Sequence, residues 1–152
     1  PKEDNTLALR TTITIPCVRY GMLVIDSVRG IAAINGDKSD GTIEFYQLLG
    51  EGAGMRSKIQ VSHFENCIFS PCGNYLACGT NLRRQVVEIF DCKELTSPQC
   101  VRIITEAVGV GPAHCRAWIG KTLIVRDGWN KRHDIECGFV ECQGKQEKKE
   151  GE

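Results

Sequence analysis

The sequence predicts an all-β protein, and three observations lead to this fold class. Short runs of β-branched and other apolar residues recur along the 152-residue chain, and turn-forming Gly, Pro, Asn and Asp residues separate them. No segment carries a sustained apolar stripe at helical spacing. The composition, 41% hydrophobic and 25% charged, is that of an ordinary globular domain. We therefore expect a core built from many short strands.

The predicted strands follow one another at regular intervals. In chain order they are residues 11–18, 22–25, 31–34, 42–46, 61–69, 75–78, 86–90, 101–105, 115–119, 122–125 and 135–140. The glycine-rich residues 50–54 are predicted to be a connection, and the polar residues 143–152 a charged flexible tail without a core of its own. Periodicity alone leaves a sandwich and a barrel open as well.

Three segments of the chain align as internal repeats. They cover residues 30–48, 69–91 and 117–141, and the equivalent positions Tyr46, Phe90 and Val140 are spaced by 44 and 50 residues. A period of roughly 40–45 residues is typical of propeller blades with four strands each. We predict blades over about residues 20–50, 57–95 and 100–142, preceded by an N-terminal strand in residues 1–19 that belongs to a further blade.

The middle repeat carries the most specific motif. Residues 69–80 read FSPCGNYLACGT and residues 89–91 read IFD, while residues 40–46 read DGTIEFY. These segments resemble the F-S-P-D-G-x-x-L-A-S-G-S, I-W-D and D-G-T-I-R-I-W stretches of WD40 repeats. The chain departs from the family pattern because it lacks the Gly-His dipeptide and a terminal Trp-Asp; Arg84 replaces the turn aspartate of the second repeat, whereas Asp134 is expected to supply that of the third.

This resemblance implies the fold class in its specific form, an all-β partial β-propeller of about three WD40-like four-stranded blades. Ser70, Pro71 and Gly73 are expected to form the turn between the first two strands of the middle blade, with the glycine at positive φ. Asp40 is expected to accept hydrogen bonds from backbone amides of the following turn. Propellers close with 4–8 blades, so self-association or a longer chain would complete the ring.

The resemblance also implies a function, a non-catalytic protein–protein interaction scaffold in the cytoplasm or nucleus, acting in a multi-protein complex. Partners of WD40 proteins dock on exposed loops, and the basic and aromatic residues in predicted turns are the candidate contacts. Lys+Arg and Asp+Glu both number 19, and this balance argues against binding to nucleic acid or to an acidic membrane surface. The partner-binding candidates are Arg83, Arg84, Trp129, Lys131 and Arg132.

Nine cysteines leave alternatives open, a cysteine-rich metal-binding or redox β protein and a truncated propeller fragment without independent function. No Cys-x2-Cys pair occurs, so core cysteines are favoured over a zinc site and no metal or cofactor is predicted. Cys72 with Cys92, or Cys137 with Cys142, would be possible disulfides under oxidation. A catalytic Cys115 is not expected, because the adjacent His114 points to the opposite face of a strand. The prediction is therefore that the protein is not an enzyme.

Overall fold

The computed structural model describes residues 21–37, 39–50, 52–81, 87–105 and 111–140, and all regular structure in these ranges is β-strand. The all-β prediction is thereby confirmed. No helix capable of crossing a membrane is found among these residues. The strands are β1 (Met22–Asp26), β2 (Ile31–Asn35), β3 (Thr42–Gln47), β4 (Gly54–Gln60), β5 (Phe64–Phe69), β6 (Tyr75–Thr80), β7 (Val87–Asp91), β8 (Gln99–Ile104), β9 (His114–Ile119), β10 (Thr122–Arg126) and β11 (Arg132–Glu136).

The strands form three antiparallel sheets, in each of which every strand pairs with its neighbour in sequence. Sheet 1 contains β1–β4, sheet 2 contains β5–β8, and sheet 3 contains β9–β11 within the described residues. The first strands lie next to one another, because β1 contacts β5 and β5 contacts β9. Successive meanders joined at their first strands are the arrangement of blades in a propeller.

Two hydrophobic cores separate the sheets, and sheet 2 contributes to both of them. The first core lies between sheets 1 and 2, and the second lies between sheets 2 and 3. The first comprises Ile31, Ala33, Ile43, Phe45, Val61, Phe64, Cys67, Phe69, Leu76, Cys78, Phe90, Cys92 and Leu95. The second comprises Tyr75, Ala77, Val87, Ile89, Ile104, Ala113, Cys115, Leu123, Val125, Ile135, Cys137 and Val140.

The turn between β5 and β6 forms as its sequence predicts. The Ser70 amide donates to the Tyr75 carbonyl at 2.8 Å, and the Ser70 hydroxyl accepts from the Tyr75 amide at 3.1 Å. Gly73 has a φ of +73°, which only glycine adopts at low cost. In sheet 1 the predicted role of Asp40 is also present, since its carboxylate accepts a 2.8 Å hydrogen bond from the Thr42 amide.

The bounds of several strands differ from the sequence prediction, and two of these differences have a clear physical reason. Residues 54–60 form β4, the outer strand of sheet 1, where a connection was expected to reach Gly54. The last strand runs over residues 132–136 rather than 135–140. The reason is Asp127, whose carboxylate accepts the amides of Trp129 and Lys131 at 2.9 Å each and thereby closes the turn before Arg132. Asp127 thus accepts the turn hydrogen bonds that were expected for Asp134, which instead lies within β11.

Candidate active site

A carboxylate and an imidazole meet where the first strands of sheets 2 and 3 begin. Glu65 is the second residue of β5, and His114 is the first residue of β9. The Glu65 Oε1 lies 3.7 Å from the His114 Nδ1, and the two side chains are 18% and 28% exposed. The pair is therefore shielded on most sides and partly open to solvent.

The neighbouring residue Asn66 holds the two strands at this separation. Its amide oxygen accepts a 2.9 Å hydrogen bond from the Cys115 backbone amide, and its amide nitrogen donates at 2.7 Å to the Cys115 carbonyl. The side chain thus satisfies both backbone groups of a residue in the next sheet. Because Asn66 follows Glu65 and Cys115 follows His114, this strap fixes the spacing of the carboxylate–imidazole pair.

Both strands carry a β-bulge at the same end. In β5 the partners of Phe64 and Asn66 are adjacent residues of β6, so Glu65 is the extra residue of the bulge. In β9 the partners of Cys115 and Ala117 are adjacent residues of β10, so Arg116 is the extra residue there. An extra residue is released from the ladder and its side chain is re-aimed, a device common beside active sites. Arg116 is exposed.

A second carboxylate–histidine pair lies in sheet 3. The Asp127 Oδ2 is 2.9 Å from the His133 Nε2, while Oδ1 accepts the two amides of the turn already described. The His133 contact and these amides lower the pKa of Asp127 below its usual value. Asp127 is 4% exposed, and each of its oxygens already holds a partner in the protein. We therefore assign this pair to the stability of the turn, and take Glu65 and His114 as the candidate reactive groups because their side chains are more exposed.

The predicted partner-binding residues fall into two groups. Arg83 and Arg84 lie outside the described residues. The turn after β10 brings the other three together: Trp129 is 79% exposed, Lys131 is exposed, and Arg132 pairs with Asp134 at 2.7 Å. A role for them in binding a partner stays a prediction.

The cysteines of the described residues are mostly core residues. Cys67, Cys78, Cys92, Cys115 and Cys137 are buried free thiols, Cys100 is an exposed free thiol, and Cys72 is disulfide-bonded. Cys92, considered above as a partner of Cys72 under oxidation, is thus free. Within the part of the chain that the structure describes, no group of three or more His, Cys, Asp or Glu side chains could hold a metal ion.

Three antiparallel meanders joined through their first strands are a β-propeller-like arrangement, and a solved structure has a similar fold. The chain is similar to the crystal structure of a candidate 6-phosphogluconolactonase from Bacteroides fragilis, with 21% sequence identity and a TM-score of 0.53 over 75% of this chain. It spans 37% of the length of that protein. At this identity the likeness shows the fold. No protein-family model matches the chain, and no curated protein matches it.

This likeness corrects the functional prediction. The chain was expected to be a non-catalytic scaffold and not an enzyme, whereas the similar structure carries the name of an enzyme. The expectation was wrong because it considered only reactive pairs whose side chains lie close together in sequence. Glu65 and His114 lie on different sheets, and no spacing rule links them. The sequence does place a glutamate and a histidine near the start of two strands. These residues indicate a site only once it is known that the two strands pack side by side.

Proposed function

We propose that this chain is part of a β-propeller hydrolase that opens lactones, and that Glu65 and His114 activate the attacking water. The observation that carries the proposal is the carboxylate–imidazole pair, held by Asn66 at the start of two neighbouring first strands. The name of the similar Bacteroides fragilis protein supports the substrate class, a phosphorylated sugar lactone. The WD40 resemblance of the middle repeat stays a prediction beside this proposal.

The chemistry requires a base and a group that orients it. His114 is the general base, because the unprotonated nitrogen of a neutral imidazole accepts a proton from water. Glu65 faces Nδ1, which orients the ring with Nε2 toward the water and stabilises the imidazolium that forms. The 3.7 Å separation is longer than a hydrogen bond, as is common for catalytic pairs before substrate binds.

Each bond change in the reaction is accounted for. The water oxygen forms a bond to the lactone carbonyl carbon while its proton moves to Nε2 of His114. The ring C–O bond then breaks, and the leaving alkoxide takes the proton back from the imidazolium. The products are one hydroxy acid and the unchanged enzyme, so no oxidant or second substrate is needed.

Arg116 is the group suited to bind an anionic part of the substrate. It follows His114 by two residues, is exposed, and is released from the ladder by the bulge. A guanidinium forms two parallel hydrogen bonds with a phosphate group, which a lysine ammonium does not do. We therefore assign the 6-phosphate of the lactone to Arg116.

The test is lactone hydrolysis by the full chain, followed by acid release at constant pH and corrected for spontaneous opening. With 6-phosphogluconolactone as substrate, His114→Gln is expected to lower kcat by 10²–10⁴-fold, the usual contribution of a general base. Glu65→Gln is expected to lower kcat less and to shift the pH profile. His133→Gln is the matched control, since it removes the other partly buried histidine and should leave kcat unchanged.

Arg116 is tested separately by its substrate preference. Arg116→Gln should raise KM for the phosphorylated lactone and leave KM for unphosphorylated gluconolactone unchanged. The proposal is overturned if the folded chain does not accelerate lactone opening above the spontaneous rate, or if His114→Gln retains the full rate.

A further inference from the structure

Cys67 and Cys78 face each other across the first two strands of sheet 2. They are directly paired in the β5–β6 register, and they are 5% and 0% exposed. Both belong to the core between sheets 1 and 2. Their side chains therefore point to the same side of the sheet.

The backbone of Cys67 shows which kind of cross-strand pair this is. Its amide donates a 3.4 Å hydrogen bond to the Met22 sulfur in β1, and so points away from β6. Cys67 is therefore at a non-hydrogen-bonded position of the antiparallel ladder, where opposite Cα atoms are only ~4.5 Å apart and side chains come closest. A disulfide accommodates Cα separations of about 4.4–6.8 Å. The two cysteines can be joined without moving the strands.

We propose that Cys67 and Cys78 are a reversible oxidation site that closes to a cross-strand disulfide at the expense of a low-molecular-weight disulfide such as oxidised glutathione. A thiolate of the pair attacks the glutathione disulfide and releases one glutathione, and the second cysteine displaces the other. Two S–H bonds are lost and one protein S–S bond forms. The two electrons and two protons are found in two molecules of reduced glutathione.

Burial of the two thiols slows formation of the disulfide, whereas the short distance between the strands makes the disulfide itself favourable. Removal from water, together with the neighbouring Cys67 thiol, raises the pKa of Cys78 well above its usual value, so the native pair reacts slowly. Within the described residues β5 pairs with β6 alone, so its opening breaks a single ladder. The bond forms when β5 opens or during folding.

Oxidation at this place would act next to the candidate active site. Cys67 directly follows Asn66, whose side chain binds Cys115, and Glu65 precedes Asn66. A covalent bond from Cys67 to β6 would restrict the β5 bulge that carries the carboxylate. The oxidation site itself rests on the register and on the Met22 hydrogen bond, and it stands whether or not the chain hydrolyses lactones.

The experiment refolds the reduced chain in buffers with a series of oxidised-to-reduced glutathione ratios. Remaining thiols are alkylated in denaturant, and tryptic peptides are weighed. No Lys or Arg separates Cys67, Cys72 and Cys78, so all three fall in one peptide. The measurement is therefore made in the Cys72→Ser background, which removes the disulfide of Cys72 from this peptide. The expected product is an unalkylated peptide lighter by two hydrogen atoms, which reduction restores.

Matched variants make the result specific. Cys67→Ser and Cys78→Ser should each abolish the product, whereas Cys100→Ser, which removes an exposed free thiol, should leave its yield unchanged. The proposal fails if the peptide is fully alkylated at every glutathione ratio while circular dichroism shows a cooperative melt in the same buffers. It also fails if Cys67→Ser still yields the lighter peptide.

Discussion

The side-chain amide of Asn66 binds the main chain of Cys115 twice, accepting from its amide at 2.9 Å and donating to its carbonyl at 2.7 Å. Two strands of different sheets are thereby joined through one side chain. These two hydrogen bonds resemble one pair of bonds in a β-ladder, but here a side chain forms them between strands whose backbones are not paired with each other. Because Asn66 and Cys115 directly follow Glu65 and His114, both the stability of the fold and the geometry of the site depend on Asn66.

Replacing Asn66 by alanine is expected to destabilise the protein by about 1–3 kcal/mol, the cost of leaving buried polar groups unpaired. Both backbone groups of Cys115 would lose their partner, and the Glu65–His114 separation would no longer be fixed. Urea unfolding measures the loss. Asn66→Asp keeps the acceptor and removes the donor, and we expect it to fall between the alanine variant and the natural chain. Equal stability of Asn66→Ala and the natural chain would show that the strap does not contribute.

Gly73 is expected to tolerate no larger residue. It has a positive φ, and a Cβ built there would collide with the Asp26 carboxylate, which is 6% exposed and accepts the Arg29 amide at 2.7 Å. Gly73→Ala combines a left-handed backbone cost of about 1–2 kcal/mol with displacement of a buried carboxylate. Gly120→Ala is the matched control, because Gly120 also has a positive φ but has open space at its Cβ.

Thermal melting of the two alanine variants separates the two costs. The Gly120 variant reports the backbone cost alone, and the Gly73 variant should melt at a clearly lower temperature. If both variants have the same melting temperature, the collision with Asp26 does not contribute to the loss of stability.

Arg29 joins sheets 1 and 2 at the end opposite to the candidate site. Its guanidinium donates to the carbonyls of Gly73, Cys92 and Lys93 at 2.9, 2.8 and 2.9 Å. Arg29→Ala is expected to cost about 1–3 kcal/mol, since hydrogen bonds from a charged donor are stronger than neutral ones. Arg126→Ala is the control, because the Arg126 guanidinium donates to the Asn130 carbonyl within its own turn and does not join two sheets through this bond. A chemical-denaturation midpoint no lower for Arg29→Ala than for Arg126→Ala would contradict this account.

Acid stability is expected to depend on Asp127. The hydrogen bond from His133 and those from two turn amides lower the pKa of Asp127 below its usual 3.8. A carboxyl whose folded pKa is depressed stabilises the protein above its unfolded pKa, and this stabilisation disappears as pH falls through the folded pKa. The natural chain should therefore lose stability from about pH 4 downward, and Asp127→Asn should lose less over the same range.

A second aspartate provides the comparison for this pH dependence. Arg132 lowers the pKa of Asp134 too, but that pair is about half-exposed and is screened by salt. Melting curves between pH 5 and pH 2 at low and raised salt distinguish the two. The effect of Asp127→Asn should persist at raised salt, and that of Asp134→Asn should fade.

Most strands could be predicted because their local chemistry determines them. Runs such as Ile31–Asn35 consist largely of apolar residues that are buried in the fold, and glycine or proline marks the turns. Strand β4 was not predicted because it is an outer strand in which no residue is fully buried. Its sequence, Gly54–Gln60, therefore lacks the buried apolar face by which strands are recognised. The bounds of β11 were predicted wrongly because the hydrogen bonds of the Asp127 side chain determine where the preceding turn ends. The spacing of apolar residues gives no information on such bonds.

The candidate site could not be predicted from local patterns. Its geometry depends on how sheets 2 and 3 pack, on a bulge in each first strand, and on the two hydrogen bonds between the Asn66 side chain and the Cys115 backbone. A bulge leaves no signature in the residue types of Glu65 or Arg116. The exposed Trp129, by contrast, was singled out correctly as lying in a turn, since turn position follows from the flanking glycine and asparagine.

Sheet 2 contributes residues to both hydrophobic cores, and its position between them determines the order in which the sheets unfold. Within the described residues, sheet 1 or sheet 3 can unfold while sheet 2 keeps one of its two covered faces, so we expect sheet 2 to unfold last of the three. All six residues of β6 are buried. The backbone amides of this strand should accordingly be the last among the described residues to exchange with deuterated solvent. They would identify the most stable part of the fold.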